Sequence, residues 1–358
     1  MSFKDFSKIN LSLGGTGLSD RALLAKYLAV TQQSGLSILE SLDIVGETAR
    51  GKMKNIIAGV KKSVESGNSL ADSLGRYPRV FSGIFTSAVY AGESSGTLAE
   101  NLQNLSEQLK KEKELGAKVK GAMFYPLVVL VAAFILGMAM SFMVLPKITP
   151  LLEGLNTELP ITTRGLIAFS HFVDQNGQFL FIGIVVGIIF LLWLVRQKFA
   201  KPVTHWLLLR VPIVKNIVRD SNLARFSRTL GTLLKSGLNI DEALSVTHNT
   251  LANYYFRRAV LATGDRVSKG ATLAESLSEF HKLFPKMVGR MILVGEQSGK
   301  LEDSLLYLAD FYEAEVDNST KSLSTAIEPI LLLFVGLIVG FLALSIITPI
   351  YNITGNIR

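Results

Sequence analysis

Ala91-Gly92-Glu93-Ser94-Ser95-Gly96-Thr97-Leu98 returns as Val294-Gly295-Glu296-Gln297-Ser298-Gly299-Lys300-Leu301, an offset of 203 positions. The offset holds outward from the motif. Ser69-Leu70-Ala71-Asp72-Ser73-Leu74 matches Thr272-Leu273-Ala274-Glu275-Ser276-Leu277, Pro126 matches Pro329, and Pro146 matches Pro349. One residue slips upstream, where Ser34-Gly35-Leu36 meets Ser236-Gly237-Leu238 at an offset of 202. Self-similarity at a fixed long period marks a repeated structural unit, so the chain reads as a tandem duplication.

Each copy runs into an apolar stretch. The 358 residues are 49% hydrophobic and only 18% charged, a skew for a soluble protein of this size. No charged residue occurs between Lys120 and Lys147, from Gln175 to Val195, or from Pro329 to Ile357. About 20 apolar residues in a helix cross a hydrocarbon core about 30 Å thick. The expected fold is therefore an all-α membrane protein: two homologous cytoplasmic helical-bundle domains in tandem, with three transmembrane helices. The expected order is an N-terminal lead (1–19), the first cytoplasmic domain (20–121), transmembrane helix 1 (122–145) and a short outside loop (146–176). Transmembrane helix 2 (177–195), the second cytoplasmic domain (196–327), transmembrane helix 3 (328–350) and a C-terminal tail (351–358) complete it. The alternative, buried helices of a large soluble core, fits these lengths less well. An odd number of crossings follows from the repeat. A unit of one soluble domain plus one crossing leaves the chain outside, so a second cytoplasmic copy needs an added return helix. This repeat is parallel, unlike the inverted repeats common in secondary transporters.

Charge sets the expected orientation. Residues 1–121 hold 16 Lys and Arg against 12 Asp and Glu, and residues 196–328 hold 18 against 14. The stretch 146–178 has only Lys147 and Arg164 as cations. Lys113, Lys118 and Lys120 flank the first crossing, and Arg196, Lys198 and Lys201 flank the second, which puts both domains on the positive, cytoplasmic side. The start Met1-Ser2-Phe3-Lys4-Asp5-Phe6 opens no apolar run of signal-peptide length, in keeping with an N-terminus inside and a C-terminus outside. The net charge of +8 is split between two tethered domains and points to anionic lipid rather than nucleic acid. Cysteine is absent, which removes disulfides, thiolate chemistry and cysteine metal sites.

Both soluble segments read as helical. Leu98, Leu102, Leu105 and Leu109 share one helix face, and Leu301, Leu305, Leu308 and Tyr312 repeat the stripe. Gln103, Glu107, Lys110, Lys111 and Glu112 fill the opposite face. Two copies of so short a pattern suit packing inside a bundle better than a coiled-coil seam. Ser69 and Thr272, each with a carboxylate three residues on, mark helix starts. Thr97-Leu98-Ala99-Glu100 is another such box, and its copy has Lys300 in place of Thr97, so Ser298 or Gly299 is expected to open that helix. Pro126 and Pro329 stand at the cytoplasmic entrances, where the missing N–H either begins a helix or kinks one. The outside loop is expected to hold an amphipathic turn or two at Leu166 to Val173.

The sequence offers little chemistry. His171, His205, His248 and His281 are scattered without metal-ligand spacing, and no hydrolase elbow, dinucleotide fingerprint or zinc motif is present. Gly295 to Leu301 comes close to a phosphate-binding loop. It has three residues between the glycines where four are needed, and Leu301 replaces the hydroxyl. No cofactor, metal or catalytic residue is expected. Two readings of the motif stay open. In one, Gly92, Glu93, Gly96 and Gly295, Glu296, Gly299 form tight helix connections, with glycine at positive φ and the carboxylate capping the next helix. In the other, Glu93 and Glu296 contact basic residues of a partner. Glu328, beside Pro329, reads as a water-facing anchor rather than a proton relay.

These residues resemble the type II secretion system F family, which includes the inner-membrane platform proteins of type IV pili. The likeness rests on the twice-repeated Gly-Glu-x-Ser-Gly-x-Leu, on Tyr125-Pro126 and Glu328-Pro329 opening the crossings, and on Arg225-Phe226-Ser227-Arg228-Thr229-Leu230 leading into Ser236-Gly237-Leu238. It spans about Asp20 to Ile350, and Leu145-Pro146-Lys147 with Glu158-Leu159-Pro160 resembles the pilus branch. One departure is that Lys26-Tyr27 stands where the second copy has Arg228-Thr229. The resemblance implies a non-catalytic scaffold that touches a cytoplasmic hexameric ATPase, pilin or pseudopilin subunits and other inner-membrane assembly proteins, and that forms a homo-oligomer. The other class considered, a small-molecule or ion transporter, has only Ser141 and Ser345 as notable polar groups in the first and third crossings, too few for a charged path.

Overall fold

The computed structural model describes residues 16–139, 149–150, 161–197, 199–212 and 214–355, and its elements are all α-helices. The chain opens with α1 (Leu18–Gln33), α2 (Ile38–Thr48), α3 (Gly51–Glu65), α4 (Leu70–Gly75), α5 (Gly83–Ser95) and the long α6 (Leu98–Ala139). Among the described residues α7 (Ile161–Arg196) and α8 (Lys201–Leu208) come next, and residues 149–150 are helical as well. Then α9 (Val214–Lys235), α10 (Ile240–Thr250), α11 (Tyr254–Val267), α12 (Leu273–Ser278), α13 (Lys286–Ser298) and α14 (Leu301–Gly355) repeat the opening order.

Local chemistry fixes where these helices start. Ser69 Oγ accepts from Asp72 N at 3.0 Å and Thr272 Oγ1 from Glu275 N at 3.2 Å, each satisfying one orphan donor of a first turn. Ser37 and Glu40 form a reciprocal box at α2, in which Ser37 N donates to Glu40 Oε2 at 2.8 Å. That bond, with one from the Ser37 hydroxyl, holds the Glu40 carboxyl below the usual range.

The chain divides into two compact units, Met1–Val119 with His205–Ser319, and Lys120–Thr204 with Thr320–Arg358. The soluble segments expected at 20–121 and 196–327 thus share one unit, and the boundaries at 121/122 and 327/328 fall inside α6 and α14. The helices run on although Gly121 stands at the first boundary and Pro329 just after the second, so neither residue acts as a stop there.

In the first unit a single apolar cluster runs through both halves. It includes Leu24, Leu28 and Phe85 from the first half, Phe226, Phe256 and Val288 from the second, and the stripes Leu102/Leu105/Leu109 and Leu305/Leu308/Tyr312. Burying each such Leu or Phe contributes about 1.5–3 kcal/mol. A polar seam crosses the middle of this cluster. Gln108 Nε2 donates to Thr229 Oγ1 at 3.2 Å while Gln108 Oε1 accepts from Thr232 Oγ1 at 3.1 Å, and Asn101 Nδ2 donates to Ser236 O at 3.0 Å. All five residues are buried, so these bonds satisfy groups that water cannot reach. At the edge of the seam Arg228 reaches Asp310 and Glu313, with Nε 3.0 Å from Glu313 Oε1, and Lys111 Nζ lies 3.3 Å from the same carboxylate. Nearby, burial pushes the Tyr312 hydroxyl up to about 12, with the Asp220 charge adding to it. Burial likewise raises the Asp220 carboxyl, against the pull of Arg219 at 2.9 Å.

The second unit exposes large apolar side chains, among them Phe124, Leu127 and Ile135 on α6, Phe179 and Ile189 on α7, and Leu332 and Leu337 on α14. Among the described residues one helix, over Leu98–Ile135, has both the length and the apolarity to cross a membrane, where three were expected. In α7 the apolar stretch shortens to Val185–Val195, and along 328–350 many side chains fall outside the described residues.

Other expectations are corrected by helix continuity. The outside loop at 146–176 is already helical from Ile161, because α7 continues through Asn176-Gly177 with no proline to stop it. Helix α14 extends to Gly355, so most of the expected tail at 351–358 is helical. Pro146, Leu145-Pro146-Lys147, Glu158-Leu159-Pro160 and Ser141 lie outside the described residues.

Candidate functional site: the glycine-glutamate joints

Each repeated motif ends one helix and begins the next. Gly96, at φ +74°, terminates α5 in the left-handed region, and Gly299, at φ +70°, terminates α13 in the same way. A residue with a Cβ is strained there, which explains glycine at both positions. The preceding serines bond back into their own helices, Ser95 Oγ to Ala91 O at 2.7 Å and Ser298 Oγ to Gly295 O at 3.3 Å. Ser298 and Gly299 therefore finish α13 and do not open the following helix. Helix α14 starts at Leu301, immediately after Lys300.

The other glycine permits close approach. A Cβ on Gly92 would lie 2.8 Å from Leu98 Cα, and one on Gly295 would lie 2.7 Å from Ser304 Oγ and 3.0 Å from Leu301 Cα. The first turn of α6 thus rests directly on α5, and that of α14 on α13.

The glutamates turn the opposite way from the sequence expectation. Neither caps the helix that follows it. Glu93 accepts from Leu70 N (2.6 Å) and Ala71 N (2.9 Å), the first two amides of α4, 23 and 22 residues upstream. Glu296 does the same for α12, with Leu273 N at 2.6 Å and Ala274 N at 3.1 Å. A carboxylate on two orphan amides at the positive end of a helix is favourable twice over, through charge-assisted bonds and through the helix dipole. Ser69 and Thr272 take a further donor in each first turn. Each motif therefore forms a three-way joint: its glutamate holds α4 (or α12) on α5 (or α13), and its first glycine seats α6 (or α14) on the same helix. Beside the first joint a surface groove of about 440 Å³ is lined by Asp72, Arg76, Thr86, Tyr90 and, from the second half, Glu242.

The membrane-entry residues lie within helices. Tyr125 is exposed and Pro126 buried in mid-α6, and Glu328 and Pro329 lie inside α14, so neither proline begins a helix. Among the described residues no group of three or more His, Asp or Glu is placed to hold a metal ion.

The sequence model described as "Type II secretion system (T2SS), protein F" matches this chain twice, over residues 24–146 and 226–349. The chain belongs to the type II secretion system protein F family. It is similar to the type IV pilus assembly protein PilC of Thermus thermophilus, at 36% identity over 96% of this chain and 84% of that protein. It is similar at 33% to the type II secretion system protein F of Aeromonas hydrophila, over 96% and 89% of the two chains. Against the PilC of Pseudomonas aeruginosa it is 32% identical over 98% and 95%.

What sequence reading of this family member missed is the seam. Gln108 carries no signal of its own beside Leu109, and Lys111 and Glu112, placed on the face opposite the leucine stripe, both pair across the halves. The available signal was asymmetry between the segments. Gln108 faces Phe311 at the 203 offset, and Lys26-Tyr27 faces Arg228-Thr229 at 202.

Proposed function

We propose that this chain is an inner-membrane platform of a type IV pilus or type II secretion-like filament machine. It couples a cytoplasmic hexameric assembly ATPase to the insertion or extraction of pilin or pseudopilin subunits. On this reading the chain is a duplicated unit with three crossings, both helical segments face the cytoplasm, and the C-terminus lies outside. The observation that carries the reading is the double match to the family over 24–146 and 226–349, each match ending in one of the apolar stretches. The names of the relatives, pilus assembly and type II secretion proteins, supply the process.

The joints supply a physical rationale. A platform must pass displacement from its cytoplasmic surface to its membrane helices without loss. Glu93 and Glu296 remove slack between the short helices and α5 or α13, while Gly92 and Gly295 put the long helices in van der Waals contact with those same elements. The exposed apolar side chains of α6, α7 and α14 support lipid as their surroundings.

Deleting the gene is expected to abolish surface filaments or secretion, with recovery on expression of the wild-type chain. The protein, purified in detergent, is expected to co-purify with the assembly ATPase of the same system. Normal filaments and secretion in the deletion strain would overturn the proposal. Protease mapping that placed residues 20–119 and 205–319 on opposite faces of the membrane would do so as well.

A further inference from the structure

Helix α8 is short, and it carries an exposed apolar face. Val203, Trp206 and Leu207, at spacing i, i+3, i+4, share one face and are 67%, 44% and 55% exposed, and Phe199 in the preceding turn is 68% exposed. The helix is held from behind. His205 Nδ1 accepts from Tyr254 N at 2.9 Å, and Leu209 packs against the apolar cluster of the first unit. A solvated helix held in this way gains nothing by presenting Trp, Val and Leu to water.

The surrounding charge is of one sign. From residue 196 to 219 the sequence has six cations, Arg196, Lys198, Lys201, Arg210, Lys215 and Arg219, and no Asp or Glu. Lys201, Arg210 and Lys215 are exposed, and the Arg210 guanidinium lies 4.1 Å from the centroid of the Trp206 ring. The segment also follows directly on α7, which ends at Arg196, only five residues before α8 begins. An apolar stripe, a tryptophan capped by an arginine and a purely cationic margin are the features of a helix lying in the headgroup layer of a bilayer.

We propose that α8 is an interfacial helix whose Phe199, Val203, Trp206 and Leu207 face enters the headgroup layer, where its cationic margin selects anionic lipid. The proposal rests on the reading that α7 is embedded in the membrane. Through the His205–Tyr254 bond it fixes the start of α11 at the membrane surface, so that lipid charge bears directly on the second helical segment.

The chain has two tryptophans, Trp193 in α7 and Trp206 in α8, so Trp193→Phe leaves Trp206 as the reporter and Trp206→Phe leaves Trp193. Each full-length variant is reconstituted into vesicles of phosphatidylethanolamine and phosphatidylglycerol carrying bromines at a shallow or a deep acyl position. The Trp206 reporter is expected to show blue-shifted emission, strongest quenching by the shallow bromines and protection from acrylamide. Replacing phosphatidylglycerol by phosphatidylcholine, or introducing Lys201→Glu with Lys215→Glu, is expected to restore acrylamide access. That pair leaves the Arg210–Trp206 contact in place. Trp193 quenched by the bromines with Trp206 open to acrylamide and untouched by them, as for a free surface or a protein-docking face, overturns the proposal for α8 alone. Neither tryptophan quenched overturns the embedding of α7 together with this proposal. Quenching of Trp206 that ignores both lipid charge and the Lys-to-Glu pair overturns the selection of anionic lipid.

Discussion

Helices α1 and α9 stand at the same place in the 202-residue correspondence, yet they have different surroundings. In α1, Lys26 is exposed, and Ser106 Oγ of α6 donates to Ala22 O at 2.8 Å. In α9, Arg228 is only 13% exposed on its side chain, Thr229 and Thr232 are buried against Gln108, and Gly231 gives α14 room, with a Cβ there falling 3.1 Å from Leu305 and Leu306. The joints at residues 92–96 and 295–299, by contrast, repeat their glutamate bonds residue for residue, Glu93 on Leu70 and Ala71 and Glu296 on Leu273 and Ala274. Sequence is held alike where each segment folds on itself and diverges where the two segments meet.

Substitutions can break or sharpen that contrast. The largest effect is expected at the close approaches: Gly92→Ala and Gly295→Ala should each cost about 3 kcal/mol, read as a fall in the urea midpoint of the detergent-solubilised protein. Ser304→Ala is expected to relieve part of the second loss, because Ser304 Oγ is the nearest obstacle there, whereas Gly92 faces main chain and has no such remedy. Equal rescue at both sites would show that the joints are not held by these contacts.

Arg228→Ala is next, at about 2 kcal/mol, since it leaves Glu313 half-paired in a poorly solvated site, while Lys26→Ala at the matching position should stay within about 0.5 kcal/mol. Glu93→Gln and Glu296→Gln keep one acceptor and lose the charge. Each is expected to cost about 1 kcal/mol and to speed amide exchange at Leu70 and Ala71, or at Leu273 and Ala274, with the other joint unchanged.

The smallest effect concerns Asp220. Its carboxyl is raised by burial, so ionisation opposes folding, and wild type gains stability as pH falls through the raised value. Asp220→Asn is therefore expected to be more stable at pH 7 by about 1 kcal/mol or less, with the advantage shrinking in acid. A pH-independent difference would assign it to packing rather than charge.

The leucine stripes, the serine and threonine helix starts and the repeated motif were all readable in the sequence, since each is set by neighbours three or four residues away. The targets of Glu93 and Glu296 were not. Their acceptors reach amides more than twenty residues upstream, and a local rule assigns a carboxylate to the nearest helix start. Pro126 and Pro329 left two readings open for a related reason. A proline marks a lost N–H, and whether the helix stops or runs on depends on the packing around it. Gln108 gave no local signal because its partners lie 121 and 124 residues later.

That separation has a consequence during synthesis. A ribosome adding roughly 5–20 residues per second takes on the order of 6–25 s to go from Gln108 to Thr229. Through that interval the newly made α6 carries an amide and an apolar stripe whose counterpart does not yet exist. The nascent chain must be shielded or kept apart from its neighbours until α9 emerges, and slowing translation just before residue 229 would lengthen the time in which two chains can pair with each other instead.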